Sequence, residues 1–225
     1  MRVLAIDTAL ANCAAAVLDD GTSSACFETC GEEIGRGHAE KLMDMIGTVM
    51  AESSTAFSDL DRVAVTVGPG SFTGLRVGLA VARGFGLVLE KPVVGVTTLA
   101  AIARSCASGD NGPPILVALT GKGDEVYCQL FSHDGEPLDF AGVQNLSDLA
   151  RTLPEDIRFA GSAADRVADA VGAEDTRVIS RCGYPGIRAV AELGLITDPR
   201  GASPSPLYLR PPDATPQTKG RIERQ

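Results

Sequence analysis

The sequence predicts an α/β protein of two lobes, each a mixed sheet with helices on its faces. Three observations predict it. Over the first 107 residues, short apolar runs and longer helix-periodic stretches follow the order βββαβαβα. Aromatic content is 4% with no Trp. The core is therefore built from Ala, Val, Leu and Ile, which suits helices on a sheet better than two packed sheets. Around Ser108-Gly-Asp-Asn-Gly-Pro-Pro114 the composition turns loop-like, which sets a boundary. Residues 1–107 form the first lobe. Residues 108–225 form a second, smaller lobe with a proline-rich tail.

Taken in order, Arg2–Asp7 is a strand ending in Asp-Thr, and Cys13–Leu18 a second, closed by the turn Asp19-Asp20-Gly21. Ser24–Glu28 is a third. Gly37–Ser53 has helical spacing, with Leu42, Met45, Ile46 and Val49 on one face and Met43 and Met50 widening it. All the internal methionines lie there, and methionine is frequent at adaptable binding surfaces.

Val63–Val67 is a strand that runs into Gly68-Pro69-Gly70-Ser71-Phe72-Thr73-Gly74-Leu75-Arg76. Gly-Pro-Gly forces a sharp turn, and Ser71 or Thr73 can cap the helix that follows. Such a turn can hold a phosphate or can set its helix against another surface. The residues alone leave both readings open.

From Thr73 to Leu89 only Arg76 and Arg83 are charged. Gly74, Gly78, Ala82 and Gly86 recur at spacing four and form one stripe. Val77, Val81, Phe85 and Leu89 form another. A helix that is apolar nearly all round is buried on more than one side. It is either sandwiched in its own domain or shared between its own sheet and a partner. The partner reading nominates His38, Leu42, Met45, Ile46, Val49, Gly74, Arg76, Gly78, Val81 and Ala82 as interface residues. If Arg76 is buried, it requires a carboxylate from the first lobe or from the partner. Two arginines and four glycines make this stretch a poor membrane span.

Val93–Val96 is a strand, followed by a helix from about Leu99 to Ala107. Ile115–Leu119 and Val126–Phe131 are strands joined by Gly121-Lys122-Gly123-Asp124, most simply a hairpin turn. Shorter strands are expected at Arg158–Ala160 and Val178–Ile179, with helices near Ala163–Val171 and Ile187–Ile196. Pro199–Pro216 should be extended, with Tyr208-Leu209-Arg210 available to pack on the body.

The net charge is −9 and the pI about 4.7. An acidic chain repels a phosphate backbone, so binding RNA on its own is excluded as a main role. The one basic cluster is Lys219, Arg221 and Arg224. Met1-Arg2 leads straight into a strand with no targeting segment, which predicts a cytoplasmic protein. The six cysteines lack paired CxxC spacing, and the two histidines, His38 and His133, are far apart. Neither a metal site nor a catalytic cluster is predicted. His38 is expected to form a hydrogen bond at the helix start.

Ile6-Asp7-Thr8, His38-Ala-Glu-Lys-Leu42, Gly68–Arg76, Gly95-Val-Thr-Thr-Leu99, Asp124-Glu-Val-Tyr127 and Leu207-Tyr-Leu-Arg210 occur in that order. On these motifs the whole chain resembles the bacterial TsaB (YeaZ) family. The resemblance implies the actin-like, Hsp70-like and sugar-kinase-like architecture, two RNase-H-like lobes (βββαβα) with the second reduced. It also implies a non-catalytic partner of a TsaD-like transferase, joined by a TsaE-like ATPase. That complex places a threonylcarbamoyl group on N6 of the tRNA adenosine beside the anticodon, so tRNA is met only through the complex. The interface helices would be Gly37–Ser53 and Thr73–Leu89, and a homodimer would use them when the partner is missing.

Where TsaD-like enzymes carry two metal-binding histidines, this chain has Thr98 and Ile102, so that metal site is not expected. Relatives read Asp-Ala-Arg where this chain has Thr120-Gly-Lys. Asp7 and Thr8 stand where superfamily kinases and ATPases turn an acid toward Mg-nucleotide, and they are the weak cofactor candidates. A small-molecule kinase or ATPase is the alternative function. No cofactor of its own is expected, with ADP or ATP at the complex interface as the remaining option.

Overall fold

The computed structural model describes residues 1–21, 26–109, 111–201 and 204–210. Ser24, the expected start of the third strand, lies outside them, as do Lys219, Arg221, Arg224 and the tail beyond Arg210. The first lobe runs β1 (Arg2–Asp7), β2 (Asn12–Asp19), β3 (Cys26–Glu33), α1 (His38–Glu52), β4 (Arg62–Gly68), α2 (Phe72–Leu89), β5 (Val93–Thr97) and α3 (Thr98–Cys106). The second runs β6 (Ile115–Thr120), β7 (Glu125–Phe131), β8 (Gly142–Asn145), α4 (Leu146–Thr152), β9 (Arg158–Ala160), α5 (Ala164–Val171), β10 (Val178–Ser180) and α6 (Ile187–Ile196).

Each lobe holds one five-stranded sheet, ordered β3-β2-β1-β4-β5 and β10-β9-β6-β7-β8. The first three strands of each lobe pair antiparallel, and the last two add parallel to the first. The fold is therefore the two-lobed α/β class that the sequence predicts, with one succession used twice. The second lobe is reduced in element length, not in strand number. Its β9 and β10 are three residues each, and α4 and α5 are seven and eight.

β1 and β4 are buried almost throughout because both sheet faces are covered. Leu4, Ile6, Val63 and Val65 point to α1 and α2. Val3, Ala5 and Ala64 point the other way, to Ala189, Val190 and Ala191 of α6. That second contact corrects the boundary drawn at residue 108, because α6 covers the first sheet. The reason is close packing of small residues: a Cβ on Gly194 would lie 2.5 Å from the Ala64 Cβ.

Arg62, at the start of β4, locks this helix end. Its Nη1 donates to the carbonyls of Gly194, Leu195 and Thr197 at 2.6, 3.2 and 2.7 Å. These are carbonyls that the end of a helix leaves without an internal partner, and a cation is favoured there by the helix dipole. Arg62→Met is expected to lower the unfolding free energy by about 2–3 kcal/mol, because it strands those carbonyls. Urea denaturation of the two chains measures the difference.

Candidate protein-docking face

α2 sits close to its sheet because glycine lines its inner face. Ser71 caps it, accepting from the Gly74 amide at 3.4 Å. A Cβ on Gly74 would stand 2.1 Å from the Thr8 carbonyl oxygen, and one on Gly78 2.4 Å from the Thr8 hydroxyl. Thr8 Oγ1 donates to the Gly74 carbonyl at 2.7 Å, and the Ser71 amide to the Ala9 carbonyl at 2.6 Å. The glycine motif is thus bound to the turn between β1 and β2 through the Ser71 amide and the Gly74 carbonyl. The motif launches α2 against that turn.

This geometry corrects most of the nominated interface residues. Leu42, Met45, Ile46 and Val49 of α1 are buried against the sheet, as are Gly74, Gly78 and Ala82 of α2. Val81 is half-buried. His38 is buried too, with Nε2 donating to the Leu10 carbonyl at 2.9 Å. None of these core residues can face a partner while the fold stands. Arg76 alone is exposed, with its guanidinium 3.7 Å from the Phe72 ring centroid. The carboxylate expected for a buried arginine is not needed, because water solvates it and the ring faces it.

The outward face carries a second stripe, of small and apolar residues, that sequence reasoning missed. On α2 it is Ala80, Gly84 and Val88, with Leu87 beside it. On α1 it is Met43, Gly47 and Ala51. Leu87 is 82% exposed, Val88 79% and Met43 51%. A Cβ added to Gly47 or Gly84 would meet nothing within 4 Å. Each glycine in an exposed helix interior costs roughly 1 kcal/mol against alanine. Nothing among the described residues explains that cost, whereas the close approach of another backbone would. The missed signal was Gly84, which lies off the inward stripe. A cleft of about 470 Å³ between the starts of the two helices, lined by Arg36, Glu40, Thr73 and Val77 among others, closes one end of the face.

α2 meets a length and composition test for a membrane span, with mean hydropathy 1.4 over 18 residues. Its inner face is nevertheless packed on the sheet, and Arg76 and Arg83 stand on its outer face. Those features suit a protein partner better than lipid.

Asp7 and Thr8 are 0% and 1% exposed. Asp7 Oδ1 accepts from the Thr66 hydroxyl at 2.7 Å and the Ala9 amide at 3.0 Å, while Oδ2 is buried without a partner. Burial pushes its carboxyl up to about 6, against the pull of those two hydrogen bonds and of His38. Asp7 ties the turn of the first hairpin to β4, and Thr8 ties it to α2. Thr98 and Ile102 are buried in α3, and the described residues hold no cluster of three His, Cys, Asp or Glu. Gly121 and Gly123 form the β6–β7 turn, closed by the Gly121 amide on the Glu125 carbonyl at 3.0 Å.

With this geometry in view, residues 30–181 match the family model described as TsaD: tRNA N6-adenosine threonylcarbamoyltransferase. The chain belongs to the TsaD family. Its relatives place it with the TsaB (YeaZ) proteins there. It is 37% identical over 134 residues to the tRNA threonylcarbamoyladenosine biosynthesis protein TsaB of Escherichia coli, covering 60% of this chain and 56% of that one. It is 32% identical to the tRNA N6-adenosine threonylcarbamoyltransferase of Paracoccus denitrificans, covering 94% of this chain and 57% of that one. The chain thus spans about half the length of these curated relatives. YeaZ from Pseudomonas aeruginosa shares the fold at TM-score 0.76 and 24% identity, over 92% of this chain and 100% of that one.

Two outcomes follow for the buried groups. The Asp7 carboxyl is raised from 3.8 to about 6 in the fold. As pH rises between those values the unfolded chain loses its proton first, so the contribution of Asp7 to stability falls across that window. Above it the full penalty is present, about 3 kcal/mol. Asp7→Asn keeps the oxygen that Thr66 and Ala9 need. It should flatten the fall and melt higher than the parent at pH 8, and thermal melts from pH 4 to 8 check this. Parallel profiles for the two chains would refute it. Gly78→Leu and Ala82→Glu are expected to lower the melting temperature, because both side chains point into the core.

Proposed function

We propose that this chain is a non-catalytic subunit that docks on a TsaD-type transferase through the outward face of α1 and α2. In this reading it acts with a TsaE-type ATPase in threonylcarbamoylation of N6 of the tRNA adenosine beside the anticodon. One observation carries the docking claim: Gly47 and Gly84 lie open on two exposed helix faces, beside Met43 and Ala51 on α1 and Ala80, Leu87 and Val88 on α2. Relatives named for threonylcarbamoyladenosine biosynthesis and for the transferase itself support the pathway. tRNA reaches the chain only within the complex, since its net charge is −9. Asp7 and Thr8 are closed to solvent, so an ADP or ATP would belong to the assembled interface. The same patch pairs two copies when the partner is absent, because an exposed apolar face of this kind favours association.

The test is co-elution with the TsaD-type protein of the same organism on gel filtration. The parent chain is expected to form a heterodimer. Gly84→Arg should fill the space a partner helix needs and remove the heterodimer while leaving the far-UV circular dichroism and melting temperature unchanged. A heterodimer formed equally well by Gly84→Arg would refute the assignment of this face.

A further inference from the structure

The Leu207-Tyr-Leu-Arg210 motif has no part in the docking face so far, yet with Pro204 its segment follows the edge of α2 from Arg83 to Phe72. We propose that Pro204–Arg210 forms the second wall of the docking face, with Tyr208 stacked on Phe72 as an aromatic anchor for the TsaD-type partner. The proposal rests on the docking reading just given.

The segment is extended and runs opposite in direction to α2. At one end Arg83 Nη2 and Nε donate to the Pro204 carbonyl at 2.6 and 3.1 Å. In the middle the Leu207 amide donates to the Val67 carbonyl at 2.7 Å, and the Leu207 side chain packs into the core under α1 and α2. Gly68 makes room: its φ is +113°, and a Cβ there would stand 2.9 Å from the Leu207 carbonyl oxygen. At the far end Arg210 pairs with Glu125 of the second lobe at 3.1 Å. An extended segment fixed at three points to both lobes is a rigid strap.

Between those points Tyr208 turns outward. Its ring stacks on Phe72, centroids 5.7 Å apart and planes 29° from parallel. Phe72 is 54% exposed and Tyr208 48%, and Arg76 covers Phe72. Phe72, Arg76, Arg83 and Leu87 form the edge of α2 nearest the strap, while Ala80, Gly84 and Val88 form its open stripe. The aromatic pair and the small-residue stripe are therefore one continuous surface. Held aromatic rings beside an arginine are the composition of strong anchor points at protein interfaces, because little freedom is lost when they are covered. The partner surface that fits is an apolar helix with a carboxylate opposite Arg76. α2 itself carries no acidic residue, and among the described residues neither Arg76 nor Arg83 meets one.

The test measures affinity for the TsaD-type protein by calorimetry. Tyr208→Ala is expected to weaken binding about tenfold or more, and Tyr208→Phe to keep it, because stacking needs the ring and not the hydroxyl. Tyr208→Ala binding like the parent while Gly84→Arg does not bind would overturn the strap proposal and leave the docking face standing. Failure of the unaltered chain to bind would overturn the docking reading and this proposal with it. Hydrogen exchange on the unaltered chain gives a readout independent of any variant. Exchange of 204–210 is expected to slow when the partner is added, and unchanged exchange there would also overturn the proposal.

Discussion

The seating of α2 on the turn between β1 and β2 is the contact on which the rest depends. Gly74 and Gly78 let the helix backbone meet Thr8, which donates back to the Gly74 carbonyl at 2.7 Å. Any larger side chain at those positions would push the helix off the turn. Because the helix sits so low, Thr8 is sealed beneath it. Because its glycine face is fully used inside, whatever is unusual about its other face requires an outside cause.

Apart from Thr73, Arg76 and Arg83 that other face is apolar, where a surface helix is ordinarily more polar. A core helix that is half out in water, in a chain with net charge −9, calls for a protein surface to complete it. Open glycines at 47 and 84 leave room for the close approach of a neighbouring backbone. The strap then bounds the face on the side away from α1 and ties it to the second lobe through Arg210 and Glu125. A partner seated there would touch an element fixed to both lobes.

Much of this was legible in the sequence. β1 and β4 read clearly because strands covered on both faces are continuous apolar runs. α2 read clearly because the turn chemistry of Gly68–Arg76 marks its start. What failed was direction. A stripe of small residues is the same in sequence whether it meets its own sheet or another protein, so Gly74, Gly78 and Ala82 were assigned outward when they face inward. Gly84, one glycine off that stripe, was the discriminating residue. β8 was missed because Gly142-Val-Gln-Asn145 has a single apolar side chain, and α4 because seven residues are too few to show a period. The placement of α6 on the first sheet is a long-range packing choice, set by Gly194 against Ala64 and by Arg62, that no local pattern carries.

The claim that α1 and α2 present their outer face to a TsaD-type protein is tested most directly by oxidative footprinting of the methionines. Met43 is 51% exposed on that face, while Met45 and Met50 are 6% and 4% exposed beneath it. In the free chain, diluted until it is monomeric, Met43 should oxidise quickly and the other two slowly. Adding the TsaD-type protein should protect Met43 and leave Met45 and Met50 as they were. Equal oxidation of Met43 with and without a bound partner would contradict the account.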